Sequence, residues 1–586
     1  MELQRKPFLI NRALSKFLMA SVFSAVAIQL AAMIDSIIVA NFVGPDAMSA
    51  ISVCMPVMGI IVNIGYLIGM GGTLLISKAI GENNMEHGSH IAAVALILLL
   101  SSGLVLMVTG GLFSNWLVSL LCSDASIAGY ATTYLRLFFL LDLLPLFLYN
   151  ALCGFTEADG HPQMVTRAVI IAGIVNIVLD LLFVGVFHWG ISGAMYATVI
   201  DDLVVPIILF RHLYKNSSFR CHMPSKGFLS ISREIFAEGI PLTVGDIALM
   251  AGFMVLNSAI IYNLGSNSMF IWSVCMELFD FVMISLNGVE TSMVSLGGFL
   301  TGDNDITGFR LLVRRILRIV CSVLLLFTLA ILIAPQAVAM VFGARGDESI
   351  ESLSMALRIF SLCLLPIGVM NVMRVVFQLL GYRFASGALF TSQMFFMDLV
   401  IFAFVFFFPS IVWWGFPISS VLMLAMMFAY TLYYHHRDKE LSPFTLIPKR
   451  SHDSSLDFSV PYQVEALGES LERIHQYVTS NPKMQSRTND IMLTCEEIMK
   501  NIIEHSKGDV LKWSIDVHLR YTDDQISFII KDAGSAFNPL EHLPQCNQDL
   551  DNPQFGIRII SSMCEKLSYK HMWGQNILLG SFHAND

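Results

Sequence analysis

Twelve apolar stretches, each about as long as a lipid bilayer is thick, decide most of what this chain of 586 residues can fold into. A helix needs about 20 mostly apolar residues to cross the hydrocarbon core. Such stretches lie near residues 15–40, 50–77, 91–113, 131–153, 165–187, 190–210, 235–262, 269–299, 316–342, 356–380, 387–408 and 412–434. A soluble protein could not keep this surface wet, because 55% of the residues are hydrophobic and only 14% are charged. The first run starts near Phe17 and passes Val43 with no small-residue cleavage site, so it is expected to span and not to act as a signal peptide.

Lys and Arg set the orientation. One set of loops holds Arg5, Lys6, Arg12 and Lys16, then Lys78, Arg167, a group from Arg211 to Arg233, Arg310, Arg314, Arg315, Arg383, and Arg437 to Arg450. The alternate loops hold few basic residues, Arg345 being the clear exception. Both termini are therefore expected in the cytoplasm, with the helices in the cytoplasmic membrane. Residues 451–586 are far more charged and carry an excess of acid, which marks a soluble domain. No basic patch suggests a nucleic-acid partner. The ten cysteines form no C-x-x-C pair and no disulfide or zinc pattern, as expected of a tail in a reducing compartment.

The membrane part repeats itself at an offset of 221 residues. Gly44, Met48, Ser52 and Val53 recur as Gly265, Met269, Ser273 and Val274; Gly81-Glu82-Asn83 recurs as Gly302-Asp303-Asn304; Leu143-Leu144-Pro145 and Gly160 recur as Leu364-Leu365-Pro366 and Gly381. Six spans per repeat is an even number, so both halves share one orientation about an axis along the membrane normal. That is the plan of transporters that rock two bundles about a central cavity.

Ile34-Asp35-Ser36-Ile37-Ile38-Val39 with Gly44, the loop Gly81-Glu82-Asn83-Asn84, Tyr134-Leu135-Arg136 and Asn176-Ile177-Val178-Leu179-Asp180 resemble the multidrug and toxic compound extrusion (MATE) transporters over roughly residues 10–440. The resemblance implies an all-α membrane fold of twelve helices in two six-helix lobes (1–220 and 221–440), and antiport of organic, often cationic, compounds against Na⁺ or H⁺. An ionisable residue at the bilayer centre costs at least about 2.5–3.5 kcal/mol, so each one needs a reason. Asp35 on the first span, Asn176 and Asp180 on the fifth and Thr198 on the sixth fall at similar depth, and oxygen ligands suit a hard cation or a shared proton. The family's cation site is implied at these four positions. Asp142, Asp201, Asp202, Asp246, Glu277, Asp280, Glu290 and Asp398 are further acids in apolar spans, and one or two are expected to line a cavity that attracts a cationic compound.

Residues 441–457 read as a polar linker, and 458–586 as a mixed α/β domain. Helices are expected over 467–480, 489–505 and 556–566, and strands over 512–521, 525–531, 567–571 and 577–582. Glu497-x-x-x-Asn501-x-x-x-His505 puts three polar side chains on one helical face. Asp532-Ala533-Gly534-Ser535-Ala536-Phe537-Asn538-Pro539 follows an apolar strand, and Phe555-Gly556-Ile557-Arg558 opens a helix whose N-terminal amides suit phosphate. In this order the motifs resemble the N, G1 and G2 boxes of the GHKL ATPase/kinase fold, nearest to the anti-sigma-factor serine kinases. That resemblance implies ATP with Mg²⁺ on Asn501, Glu497 as the catalytic base activating a hydroxyl or water, Asp532 on the adenine amino group, Gly534 by the base and Gly556 by the phosphates. Gln554 stands where the family's G2 box usually has a first glycine.

The expected function is cation-coupled export across the lipid bilayer, with a cytosolic domain that regulates transport or phosphorylates a protein partner. The chain has no G-x-x-x-x-G-K-[ST] phosphate loop, so ATP is expected to regulate and not to drive. Two other readings stay open: a membrane-anchored signalling kinase whose helices sense a ligand, and a flippase for a lipid-linked substrate.

Overall fold

The computed structural model describes residues 5–583 apart from 122–124, 217–221, 225–226, 343–346, 450–454, 506–512, 523–524, 537 and 541–554. The chain forms two compact units. One comprises Leu18–Phe299 and Val313–Leu446; the other comprises Met1–Phe17, Leu300–Leu312 and Ile447–Asp586.

The larger unit is helical. Its elements are α1 (Phe8–Phe42), α2 (Pro45–Gly81), α3 (Met85–Leu121), α4 (Ala125–Leu137), α5 (Leu143–Ala158), α6 (Pro162–Asp180), α7 (Gly190–Asn216) and α8 (Phe228–Ser292). There follow α9 (Gly298–Gly302), α10 (Ile306–Ile333), α11 (Pro335–Val341), α12 (Asp347–Ser361), α13 (Leu364–Leu379), α14 (Arg383–Phe407) and α15 (Gly415–Arg437). Among the described residues, 11 helices are long and apolar enough to cross a membrane. The seventh span read from the sequence is the first part of α8, which runs helically through 65 residues and breaks only at Gly265, where φ is +81°. Large apolar side chains stand outside with no protein over them, among them Leu112 (74% exposed) and Leu326 (69%). Such faces belong in lipid, and helices alone satisfy every backbone group there.

The internal repeat is written into the backbone. Gly44 and Gly265, Asn83 and Asn304, and Gly160 and Gly381 each adopt positive φ at matched positions. Helix geometry also breaks at three π-helical segments: Phe138–Asp142, Leu181–Val186 and Met293–Gly297. The first ends on Asp142, the second begins just after Asp180, and the third begins three residues after Glu290. Such bulges widen a turn and re-aim side chains.

In the smaller unit, strands β1 (Ser455–Pro461), β2 (Ser514–Thr522), β3 (Gln525–Asp532), β4 (Lys566–Met572) and β5 (Gln575–His583) form one antiparallel sheet in the order β1-β2-β3-β5-β4. Helices α16 (Glu465–Ser480), α17 (Thr488–His505) and α18 (Phe555–Met563) accompany it. Alternation along the strands sorts the side chains. Phe458, Val460, Ile515, Val517, Leu519, Ile526, Phe528 and Ile530 pack with Ile474, Ile491, Met499 and Ile560 of the helices. Most of the alternate residues facing the other way are polar, among them Asp457, Ser459, Asp516, His518, Arg520 and Lys531. Strand β1 was not foreseen; it begins inside the stretch read as linker.

Candidate functional site

Helix α6 presents Asn176 and, one turn later, Asp180, both buried (4% and 0% exposed). Asp35, half-buried on α1, meets Asp180 carboxyl to carboxyl within hydrogen-bonding reach. Both Asp180 oxygens are buried and find no donor among the described residues. A buried carboxylate left this way is costly unless it shares a proton or holds a cation, so the donor set fits the coupling ion read from the sequence. Thr198 is not joined to this pair; its hydroxyl donates to the Ala194 carbonyl of its own helix at 3.2 Å. Asp142 and Asp202 make a second carboxyl contact in the same bundle, and Asp201 lies close to Asp35.

A cavity of about 620 Å³ opens among the same helices, with Tyr149 and Cys153, neighbours of Asp202, in its wall. Its walls include Glu157, Asp280, Glu290 and Arg374, with Tyr66, Tyr149 and Phe390 among the aromatic surfaces. Asp280 and Glu290 were among the intramembrane acids singled out in the sequence. Glu157 and Arg374 were not. Glu157 ends a span and reads as an interfacial charge, whereas the lone Arg374 inside the apolar run 364–379 was a signal that could have been followed. Arg374 pairs with Glu290 and lies 4.1 Å from the Phe390 ring centroid. Asp398 is buried against Gly252 in the other lobe, while the side chain of Asp246 lies outside the described residues.

Below the cavity the two lobes touch. Backbones meet at Gly71 and Gly239: a methyl group on Gly239 would fall 2.1 Å from the Leu67 carbonyl oxygen, and one on Gly71 would fall 2.3 Å from the Ile235 carbonyl oxygen. Beside them the buried Glu238 accepts from Lys78 at 3.2 Å and Arg383 at 2.8 Å, and from the Gln378 amide. This contact lies nearer the end of α2 and the start of α8 than their middles.

In the smaller unit two of the three motifs meet, Glu497 and Asn501 with Gly556, and the third, at Asp532, ends β3. Asn501 Nδ2 lies 3.4 Å from Glu497 Oε1, one turn apart on α17. Gly556, at the start of α18, packs directly on Glu497, where a Cβ would fall 2.0 Å from Oε1. At the end of β3, Asp532 is buried, and its Oδ1 accepts from Gly534 N (2.6 Å), Asn576 Nδ2 (3.1 Å) and Tyr462 OH (3.4 Å). Burial raises the Asp532 pKa, and the hydrogen bonds from Gly534 and Asn576 oppose that rise. A carboxylate beside an amide oxygen is a donor set that fits Mg²⁺, and a buried, donor-fixed aspartate fits a purine amino group. Gln554 and Phe537 lie outside the described residues, as does the side chain of His505.

The sheet's other face is also occupied. Asp457 stands directly across from His518, and Asp516 across from both Ser459 and Lys531. Onto this ladder fold the turn 302–305 and the first residues of the chain. Arg5 pairs with Asp305 (2.8 Å) and Asp516 (3.3 Å), and Lys531 with Asp303 (3.5 Å) and Asp305 (3.6 Å). His518 lies against Asp457 and 3.6 Å from Asp303. Arg520 donates to the Gly302 carbonyl at 3.3 Å, and Arg12 to the Ala533 carbonyl at 3.0 Å, next to Asp532. Burial would depress the His518 pKa, but Asp303 and Asp457 outweigh it and lift it to about 9. For Asp305 burial works upward, yet Arg5 and Lys531 hold it well below the usual carboxylate range.

A family model for MatE matches residues 20–182, and one for a histidine kinase-like ATPase domain matches residues 460–579. The "Probable multidrug resistance protein YoeA" of Bacillus subtilis (strain 168) is 23% identical over 313 residues, 52% of this chain and 67% of that protein. The "Multidrug export protein MepA" of Staphylococcus haemolyticus (strain JCSC1435) is 24% identical over 253 residues, 42% of this chain and 55% of that protein. The chain thus spans about half to two thirds of the length of these curated relatives. A solved "Outward-facing conformation of a multidrug resistance MATE family transporter of the MOP superfamily" shares the fold, with TM-score 0.67 and 20% identity over 75% of this chain and 100% of that one.

Proposed function

We propose that the chain is a multi-pass membrane transporter of the MATE type with a C-terminal histidine kinase-like ATPase domain, and that it exports organic cations in exchange for Na⁺ or H⁺, with nucleotide as the regulator; the two family-model matches and the shared fold support this reading. The lobes are assigned to 1–220 and 221–440, the linker to 441–457 and the nucleotide domain to 458–586, with both termini in the cytoplasm. The single observation that carries the transport reading is the Asp35–Asp180 carboxyl contact, with Asp180 buried and without a donor.

The mechanism is competition. A cation or proton entering between Asp35 and Asp180 removes their repulsion and lets α1 and α6 pack more closely. Repacking of that bundle alters the adjoining cavity, where Glu157 and Asp280 favour a positively charged compound. Each charge moving inward gains about 2.3 kcal/mol per 100 mV of membrane potential, enough to drive accumulation outside. Asn176, one turn from Asp180, and Thr198 are kept as flanking members of the site. Neutralising either aspartate tests the reading in proteoliposomes loaded with a fluorescent organic cation. Asp35→Asn and Asp180→Asn should each abolish gradient-driven flux while a folded, monodisperse protein persists; wild-type flux in either variant overturns the assignment.

For regulation, ATP with Mg²⁺ would be held by Glu497, Asn501, Asp532, Gly534 and Gly556, supplying a phosphoryl group to a protein hydroxyl where one is presented. Asp532 on one face of β3 is followed in the chain by Ala533, which Arg12 grips, and preceded by Lys531, which faces Asp303 and Asp305 on the other. A shift of β3 on nucleotide binding therefore pulls on the start of α1 and on the turn before α10. This supports a regulatory role over a drive role.

A further inference from the structure

Three metal-liganding side chains converge where α5 turns into α6, away from both sites above. Asp159 caps the end of α5, Gly160 makes the turn with φ +90°, and His161 precedes Pro162 at the head of α6. His212 reaches the same place from near the end of α7. Asp159 and His212 are buried (0% and 7% exposed), and His161 is half-exposed. His161 Nδ1 lies 3.7 Å from Asp159 Oδ2, and His212 Nε2 lies 4.0 Å from that same oxygen. One ligand atom from each of the three residues falls within 4.8 Å of the other two. The imidazoles meet edge to face, with centroids 4.6 Å apart.

A plain ion pair accounts poorly for this arrangement. His212 Nε2 is buried and makes no hydrogen bond, and 4.0 Å is too long for a charge-assisted bond to Asp159. A cation placed between the three residues would give His212 Nε2 a partner. Tetrahedral zinc, with bonds of about 2.0–2.1 Å, holds its ligand atoms roughly 3.3 Å apart, so the two carboxylate–imidazole separations need to close by less than about 1 Å and the imidazole–imidazole one by at most about 1.5 Å. Two imidazoles and a carboxylate suit zinc and its borderline neighbours better than Mg²⁺ or Ca²⁺. Half-exposed His161 provides the entry path. The other such cluster among the described residues, the two carboxylates and one imidazole of Asp305, Asp457 and His518, differs because Arg5 and Lys531 already stand among its carboxylates.

We propose that Asp159, His161 and His212 form a binding site for one zinc-class divalent metal ion, tying the α5–α6 turn to α7. Without metal, His161 Nδ1 donates to the Asp159 carbonyl at 3.0 Å; binding through Nδ1 leaves the ring as its Nε2–H tautomer. The test uses the purified full-length protein, stripped with chelator and titrated with Zn²⁺, and with Co²⁺ as a spectroscopic probe. Wild type should bind one equivalent tightly, with the intense visible absorption of low-coordinate Co²⁺ and a zinc-dependent rise in Tm. His161→Ala, at a half-exposed position that tolerates truncation, and the near-isosteric His212→Gln should each lose that equivalent and the Tm rise while keeping their metal-free Tm within a few degrees of wild type. An unchanged equivalent in both variants, or no binding to wild type at micromolar Zn²⁺, overturns the proposal.

Discussion

Replacing Gly239 by alanine tests the closure of the lobes at one atom. The added methyl would sit 2.1 Å from the Leu67 carbonyl oxygen and 2.9 Å from its carbon. An ordinary carbon–oxygen contact is about 3.3–3.6 Å, so α2 and α8 must part by roughly 1 Å. The obstacle is backbone, which no rotamer change relieves. Overpacking of this kind costs about 1–3 kcal/mol, and the cost falls only on the state in which the lobes touch. The balance between closed and open should therefore shift about 5- to 150-fold toward opening at this end. A cysteine placed at Ser77, 1% exposed on the same side, reports the change through its labelling rate with an impermeant maleimide. Gly129→Ala, where nothing lies within 4 Å of the new methyl, is the matched control. Labelling should quicken several-fold or more in Gly239→Ala and stay unchanged in Gly129→Ala. Equal labelling in both, with export intact, would refute the reasoning.

Other outcomes follow from the same contacts. Arg374→Gln leaves Glu290 buried beside the cavity without its cation, and should cost about 3–5 kcal/mol of stability; Tm in detergent reports this, and Glu290→Gln in the same chain should recover part of the loss. Asn501→Ala should remove Mg²⁺-dependent ATP binding as read by calorimetry, while binding unchanged by the substitution refutes the metal assignment. The grip of the sheet on the 302–305 turn should depend on pH through His518, which faces Asp303, Asp457 and Asp305, with Arg520, Lys531, Arg5 and Asp516 in the same ladder. Its pKa is raised from 6.5 to about 9, so the stabilisation is complete below about 6.5 and is lost as pH climbs through 9. Hydrogen exchange at 302–312 should quicken over that window in wild type, and His518→Gln should abolish the step.

Most of the membrane architecture was legible because hydropathy and repeat spacing act locally. Asn83 and Asn304, matched at the offset of 221, share φ +58°, as a true structural repeat requires. The tail's helices and four of its strands were readable from periodicity. Strand β1 was not: Ser455–Pro461 is short and polar on one face, and its strand character comes from pairing with β2. Asp35 and Asp180 could be picked out because a carboxylate in oil is conspicuous. Glu157 and Arg374 were missed because one sits at a span end and the other meets its partner Glu290 from 84 residues away. Arg5 read as an orienting charge; its partners Asp305 and Asp516 are brought to it by tertiary structure alone.

The most direct test of ion-driven export is to separate force from regulator in proteoliposomes. An imposed Na⁺ or H⁺ gradient, with no nucleotide present, should move an organic cation uphill, and Mg-ATP should change only the rate. Accumulation driven by Mg-ATP with no gradient, or uphill movement persisting after both Asp35 and Asp180 are neutralised, would contradict the account.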